Sequence, residues 1–313
     1  MRIAVRILLL LVLAAVLVGA LYSRDMGRIR AAVATESTLI DTRHGPIEVA
    51  IWGKGPTVLA IHGAGGGYDQ ARILAQEMGG EGFRWIAVSR FGYLRSPLPA
   101  DGSTRAQAEA FADLLDAVGE DRVSLLAMSG GVPPALQFAA LYPERTARLV
   151  LLSSAPFTPL TAASQDLPLP AWAYQALFRT DFPLWAISRL SPRSLYPMFD
   201  IRLADAEMTA DDRAFVDALI AAFLPVTGRA AGLANEGAAI DPDERYDLGR
   251  ITAPALVIHA RDDGINPFPI GEYLAAHLPG AHFRPVEGGG HLLLGHIGDL
   301  RRELRAFLAA ADP

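Results

Sequence analysis

The 313-residue chain has no cysteine and one lysine, Lys54. Without thiols there can be no disulfide framework, thiolate zinc site, iron–sulfur cluster or cysteine nucleophile. The same absence leaves the chain indifferent to redox poise, so composition does not fix its compartment. A single lysine nearly excludes lysine-based catalysis. The glycine-rich stretches lack both the G-x-G-x-x-G spacing and the Walker lysine, which weighs against a phosphate-cradling loop. Acidic residues outnumber basic ones: the formal net charge is −6, which argues against a nucleic-acid partner. No internal repeat and no metal-ligand spacing is visible, and nothing calls for a cofactor. What is abundant is apolar material. Hydrophobic residues make up 51% and charged residues 20%, enough for a sizeable packed core.

The charge is unevenly placed. Residues 1–34 hold five arginines and one aspartate, a net +4, which leaves −10 on the remainder of a chain whose total is −6. The run Ile7–Tyr22 is free of charge and preceded by Arg2 and Arg6. Counted from Ile3, with Arg6 snorkelling, it is long enough to span a bilayer. The expectation is a membrane anchor, with cleavage of a signal near Val18-Gly19-Ala20 as the alternative. Arginines flank both ends, so the positive-inside rule barely discriminates. An Arg-led apolar segment still favours an exported body. Residues 23–36 read as a polar stalk.

From Ser37 the chain alternates short strands with helical stretches. Thr38–Asp41 and Ile47–Trp52 read as a hairpin. Thr57–His62, Trp85–Ser89, Val123–Met128, Leu149–Ser154 and Ala255–His259 are near-continuous apolar runs, the mark of strands buried on both faces. Thr104–Val118 and Pro133–Leu141 show helical spacing. A helix near Ile270–Leu278, a strand near Phe283–Val286 and a last helix from Asp299 complete the rhythm. This pattern predicts an α/β fold, a mostly parallel sheet with helices on both faces. Residues 156–245 interrupt it with many prolines and aromatics and no strand-like run. The expected organisation is therefore residues 1–34 as anchor or signal with stalk, 35–155 as the first part of the core, 156–245 as an inserted helical cap and 246–313 as the second part. Oligomeric state is not legible.

Three local patterns carry chemistry. Ala127-Met128-Ser129-Gly130-Gly131 lies between a buried strand and a helix. A serine on so sharp a turn needs small neighbours two residues to either side, and the following helix offers amides and a positive dipole end. His62 through Gly67 forms a glycine-rich loop after another strand, where backbone N–H groups could approach a developing oxyanion. Near the C-terminus, Asp262 and Asp263 follow a strand, and Gly288-Gly289-Gly290-His291 comes after the next. The order serine, aspartate, histidine suits a nucleophile, an orienting carboxylate and a base on the C-terminal edge of such a sheet. His296 is a rival for the base, without the glycine-rich approach. His62 reads as a loop support; His44, His259, His277 and His282 read as structural.

These residues resemble the α/β-hydrolase superfamily, and over Ser37–Pro313 its capped, esterase-like branch. The matching pieces are His62-Gly63, Ser129-Gly130-Gly131 with Pro134-Ala135-Leu136, Tyr142-Pro143-Glu144-Arg145, and the glycines before His291. Ala260–Pro267 is similar to the family's acid turn, an alignment that selects Asp263 over Asp262. The resemblance implies catalysis by Ser129, Asp263 and His291, with the amides of Ala64 and Gly130 holding the oxyanion. Ser89-Arg90-Phe91-Gly92-Tyr93-Leu94-Arg95-Ser96 departs from the family's Asp-x-x-G-x-G-x-Ser, and alanines replace glycines at 127 and 260. The expected substrate is a carboxylic ester or thioester with an apolar part. A serine nucleophile argues against epoxide hydrolases and haloalkane dehalogenases. Carbon–carbon hydrolases, aminopeptidases, acyltransferases and cofactor-free peroxidases share the triad. From other classes, a slow-turnover or non-catalytic ligand receptor and a membrane-anchored scaffold remain as rivals. Aromatics crowd the cap (Trp172, Tyr174, Phe178, Phe182, Trp185, Tyr196 and Phe199); most should form its small core, while the excess suggests an apolar pocket or lipid contact.

Overall fold

The computed structural model describes residues 2–160, 176–204, 206–236 and 244–310; Trp172 and Tyr174 lie outside these residues. Eight strands form one sheet: β1 (Thr38–Thr42), β2 (Gly45–Gly53), β3 (Thr57–Ile61), β4 (Arg84–Val88), β5 (Val123–Met128), β6 (Thr146–Leu152), β7 (Ala255–Ala260) and β8 (His282–Val286). Their spatial order is β1-β2-β4-β3-β5-β6-β7-β8. β2 runs antiparallel to both of its neighbours, and the other pairs are parallel. The interior strands β3 and β5 are buried at every position, as continuous apolar runs require when both faces are covered.

Helices cover both faces. α1 is Arg2–Thr35, α2 Tyr68–Leu74, α3 Thr104–Val118 and α4 Val132–Leu141. In the cap come α5 (Phe182–Leu190), α6 (Ala210–Ala221) and α7 (Ala230–Glu236); α8 (Pro269–His277) and α9 (Ile297–Ala309) follow in the core. Phe111, Leu115, Leu136, Phe138 and Leu274 bring α3, α4 and α8 onto one face of the sheet. Leu74, Leu300 and Leu304 bring α2 and α9 onto the other, where the same cluster continues into cap residues Leu184, Phe215 and Phe223. α3 starts where the Ser103 side chain accepts the Ala106 N–H, and it stops at Gly119 in the left-handed region, the usual device for ending a helix. Among the described residues the insertion between β6 and β7 contains no strand.

The expected polar stalk takes a different form. Residues 23–35 continue α1 without a break, and Val18-Gly19-Ala20 lies inside the helix. The reason is a stripe of Tyr22, Met26, Ile29 and Val33, at the spacing that keeps side chains on one helical face. Met26 is fully buried, and the other three pack against the same core cluster. Polar contacts lock the segment in place. Arg30 pairs at 2.6 Å with Asp181, whose side chain has no exposure. Asp25 pairs with Arg189 at 2.7 Å and accepts a hydrogen bond from Trp185 Nε1 at 3.3 Å. The Tyr68 hydroxyl donates to the Val33 carbonyl at 2.8 Å. In contrast, Ile3, Leu8, Leu10, Leu13 and Val16 are each more than half exposed. The first part of α1 projects from the body; the second is part of it.

A chain beginning at Tyr22 should therefore be as heat-stable as the full-length protein, whereas one beginning at Ser37 should not. Losing buried Met26 and the charge partner of buried Asp181 should together cost about 3–5 kcal/mol, a fall on the order of 10 °C in a chain of this size. Differential scanning calorimetry measures it. Equal midpoints for the two truncated chains would show that the docked segment contributes no stability.

Candidate active site

β5 ends at Met128 and α4 begins at Val132, so Ser129-Gly130-Gly131 must reverse the chain in a single 3-10 turn. Ser129 takes φ +52, a left-handed conformation that costs a non-glycine residue roughly 1–2 kcal/mol. The packing around it leaves little alternative. A side chain on Gly131 would begin 2.6 Å from the carbonyl oxygens of both Ile61 and His62. Gly63 is packed slightly less tightly: a Cβ added there would be 3.0 Å from that of Ser129. The elbow is thus pressed against the end of β3 and the loop beyond it.

The other two candidates meet beyond β7 and β8. Asp263 Oδ2 lies 2.9 Å from His291 Nδ1, and Oδ1 lies 3.2 Å from it. The Asp263 carboxylate also accepts the backbone N–H groups of Ile265 and Asn266, at 2.9 and 2.8 Å. Its neighbour Asp262 faces elsewhere and accepts the Gly290 N–H at 3.0 Å, bracing the loop that carries the histidine. Burial alone would raise the Asp263 pKa, but the His291 charge and hydrogen bonds from His259 and His291 outweigh it and hold the carboxyl well below the usual carboxylate range. Burial alone would lower His291, but the charge of Asp263, its hydrogen bond and the charge of Asp200 raise it above the ordinary histidine value. Ser129 Oγ makes no hydrogen bond to His291 among the described residues; it accepts a long one, 3.4 Å, from Asn266 Nδ2. Such contacts are commonly loose before substrate binds. His296 stands outside this group, at the start of α9.

The chain has relatives in sequence and in fold. Residues 56–295 match the sequence family described as alpha/beta hydrolase fold. The chain belongs to the α/β-hydrolase family. A 2-hydroxy-6-oxononadienedioate/2-hydroxy-6-oxononatrienedioate hydrolase from Paraburkholderia xenovorans is 29% identical over 279 residues, covering 82% of this chain and 90% of the relative. A 2-hydroxy-6-oxo-6-phenylhexa-2,4-dienoate hydrolase from Burkholderia cepacia is 28% identical over 76% of this chain and 82% of its own length. Among solved structures, an alpha/beta hydrolase fold protein from Nakamurella multipartita superposes with a TM-score of 0.75 at 26% identity, covering 87% of this chain and 98% of that one. An esterase from a Rhodococcus species has a TM-score of 0.66 at 19% identity, over 88% and 99% of the two chains, a likeness of fold.

In this α/β-hydrolase, side chains that sequence reasoning passed over hold the site together. Asp200, from the cap, accepts the N–H of Gly264 at 2.8 Å and that of His291 at 3.1 Å. One carboxylate therefore ties the acid turn to the base loop. His259, read as a strand end, is fully buried; its Nε2 lies 2.8 Å from the Asn266 carbonyl and 3.4 Å from Asp263 Oδ2. Ser89 occupies the position where the family often has aspartate. The carboxylate comes instead from β2: buried Glu48 accepts from the Ser89 hydroxyl at 3.0 Å and pairs with Arg95 at 2.6 Å.

Above Ser129 the cap contributes Glu236. Glu236 Oε2, Arg90 Nη2 and the Ala64 amide nitrogen converge at 2.9, 3.2 and 3.3 Å from where a side chain on Gly130 would begin. Arg90 pairs with Glu236, and Tyr93 donates its hydroxyl to the same carboxylate. Arg90 also donates from Nε to the His62 carbonyl, and from its backbone N–H to His62 Nε2, both at 3.0 Å. Burial, reinforced by the charge of Arg90, holds His62 well below the ordinary histidine pKa, so it is a neutral acceptor that supports the loop.

The pair of Asp263 and His291 has a measurable signature. The His291 imidazole should titrate above 6.5 by NMR, because two nearby carboxylates favour its charged form. Asp263→Asn removes the larger of these charges and leaves burial dominant, so the midpoint should fall below 6.5. Asp200→Asn should lower it by less. An unchanged midpoint in both variants would contradict the electrostatic account.

Proposed function

We propose that the protein is a serine hydrolase that cleaves a carboxylic ester or thioester with an apolar moiety through an acyl-enzyme. The observation that carries this reading is the strained Ser129 at the strand–helix elbow, on the same sheet edge as the buried pair of Asp263 and His291. Asp263 holds Nδ1, which leaves Nε2 to take the serine proton. Ser129 Oγ attacks the substrate carbonyl, and its proton passes to His291. The developing oxyanion is received by the amides of Ala64 and Gly130, aided by the N-terminal end of α4. His291 then protonates the leaving alcohol or thiol. Water, deprotonated by the same imidazole, releases the acid and restores the serine. The raised His291 pKa suits this double duty, because the imidazolium must persist long enough to act as an acid.

The names of the relatives favour a second reading on the same residues, hydrolysis of a carbon–carbon bond next to a ketone. There the leaving group is a carbanion equivalent, protonated at carbon. The body is further proposed to be held at a membrane by α1, on the exported side. Its helix Ile3–Thr35 is long and apolar enough to cross one by length and composition. Secretion after cleavage is the alternative.

A panel of p-nitrophenyl esters of increasing chain length, run beside a 2-hydroxy-6-oxo-hexadienoate, tests the reading. The expectation is multiple turnovers on esters, with kcat/KM rising as the acyl chain lengthens, and a loss of about 10³-fold or more in Ser129→Ala and His291→Ala. Faster cleavage of the dienoate than of any ester would move the function to the carbon–carbon reading. One turnover per protein molecule would make it a receptor.

A further inference from the structure

The helix that is apolar enough to enter a bilayer does not end at the membrane boundary. Residues 3–21 carry no charge other than Arg6 and span about 28 Å at roughly 1.5 Å per residue, against a hydrocarbon core of about 30 Å. Immediately afterwards the helix docks on the cap. Tyr22 packs edge-on against Phe182 and Trp185, with ring centroids 5.3 Å apart in both cases. Phe182 still leaves 43% of its surface exposed, and Leu190, at the other end of α5, leaves 85%. Around this aromatic group stand Arg24 and Arg189, both bonded to Asp25 and both more than half exposed. Arg28 is exposed on the next turn.

We propose that this composite surface, the Tyr22–Arg28 stretch of α1 together with cap helix α5, seats on the headgroup layer of a lipid bilayer. Three features select lipid as the partner. The surface is continuous with an apolar segment that is itself exposed along its length. Tyr22 and the exposed Phe182 lie at the level where the apolar run ends, a depth that Tyr favours, with Trp185 buried behind them. Its exposed charges are arginines, which anionic headgroups attract. Because α1 is one unbroken helix locked by the ion pairs of Arg30 with Asp181 and of Asp25 with Arg189, the body cannot swing on a loose tether. It holds one orientation, with the cap against the membrane. The order is extended inward, since Asp181 also accepts the Thr227 N–H and hydroxyl, both at 3.0 Å. Two residues later, Arg229 bonds the Gly66 carbonyl of the glycine-rich loop at 2.6 Å. An apolar substrate dissolved in the bilayer would meet the cap without crossing water.

This inference rests on the anchor reading, and the test separates the two. The absence of cysteine allows single thiols to be placed in the full-length chain. Ser23→Cys marks the helix at the boundary, Leu190→Cys marks the cap, and Lys54→Cys marks the strand end opposite the catalytic edge. Each carries an environment-sensitive fluorophore in vesicles of phosphatidylcholine and phosphatidylglycerol containing headgroup nitroxide lipids. The expected result is strong quenching at positions 23 and 190 and several-fold weaker quenching at 54. Quenching at 23 with none at 190 would leave the anchor intact and overturn the seating of the cap. Quenching at none of the three, or recovery of a chain that starts near Leu21, would overturn the anchor itself and the seating with it.

Discussion

The site depends on the side-by-side placement of two strands. β3 and β5 pair in parallel, with Ile61 opposite Ala127, so both end on the same edge one residue apart. The His62–Gly67 loop leaves one strand and the Ser129 turn leaves the other, and the shared edge forces the two into contact. Gly131 has no room for a side chain, because the carbonyls of Ile61 and His62 occupy the space, and Gly63 packs tightly against Ser129 itself. That crowding keeps Ser129 in a left-handed conformation it would not otherwise hold. Strain at Ser129 is sustained by the rigidity of the buried sheet beneath it.

The cap then completes what the sheet begins, and it does so with carboxylates. Asp200 gathers the Asp263 and His291 loops by accepting one amide from each. Glu236 meets Arg90 beside Gly130, and Arg90 in turn grips the His62 carbonyl. Pairing with the buried Arg90 guanidinium offsets the Glu236 charge. One cap contact thus meets the loops of Asp263 and His291, and the other meets Arg90 beside Gly130.

Much of this was legible in the sequence. Interior strands announce themselves as unbroken apolar runs, because a strand covered on both faces cannot alternate. The order Ser129, Asp263, His291 and the glycines near each were enough to propose the chemistry. The hidden parts depended on distance or on a weak pattern. Asp200 lies 91 residues from His291, inside a cap with no periodic signal to align it. Glu48 stands in for the acid that Ser89 lacks, an exchange between strands adjacent to one another only in space. His259 looked like a strand end because its partner lies across a turn. Residues 23–36 looked like a stalk because Arg24, Asp25, Arg28, Arg30 and Glu36 interrupt their apolar residues. The stripe Tyr22, Met26, Ile29, Val33 was there to be read.

The central claim is that Ser129 is an activated nucleophile, made so by His291. A fluorophosphonate probe followed by peptide mass spectrometry tests it most directly. The account predicts one adduct per chain, on Ser129, forming at least about a hundred times more slowly when His291 is alanine, since general-base assistance contributes at least that much. An adduct on another serine, or equal labelling rates with and without the imidazole, would contradict it.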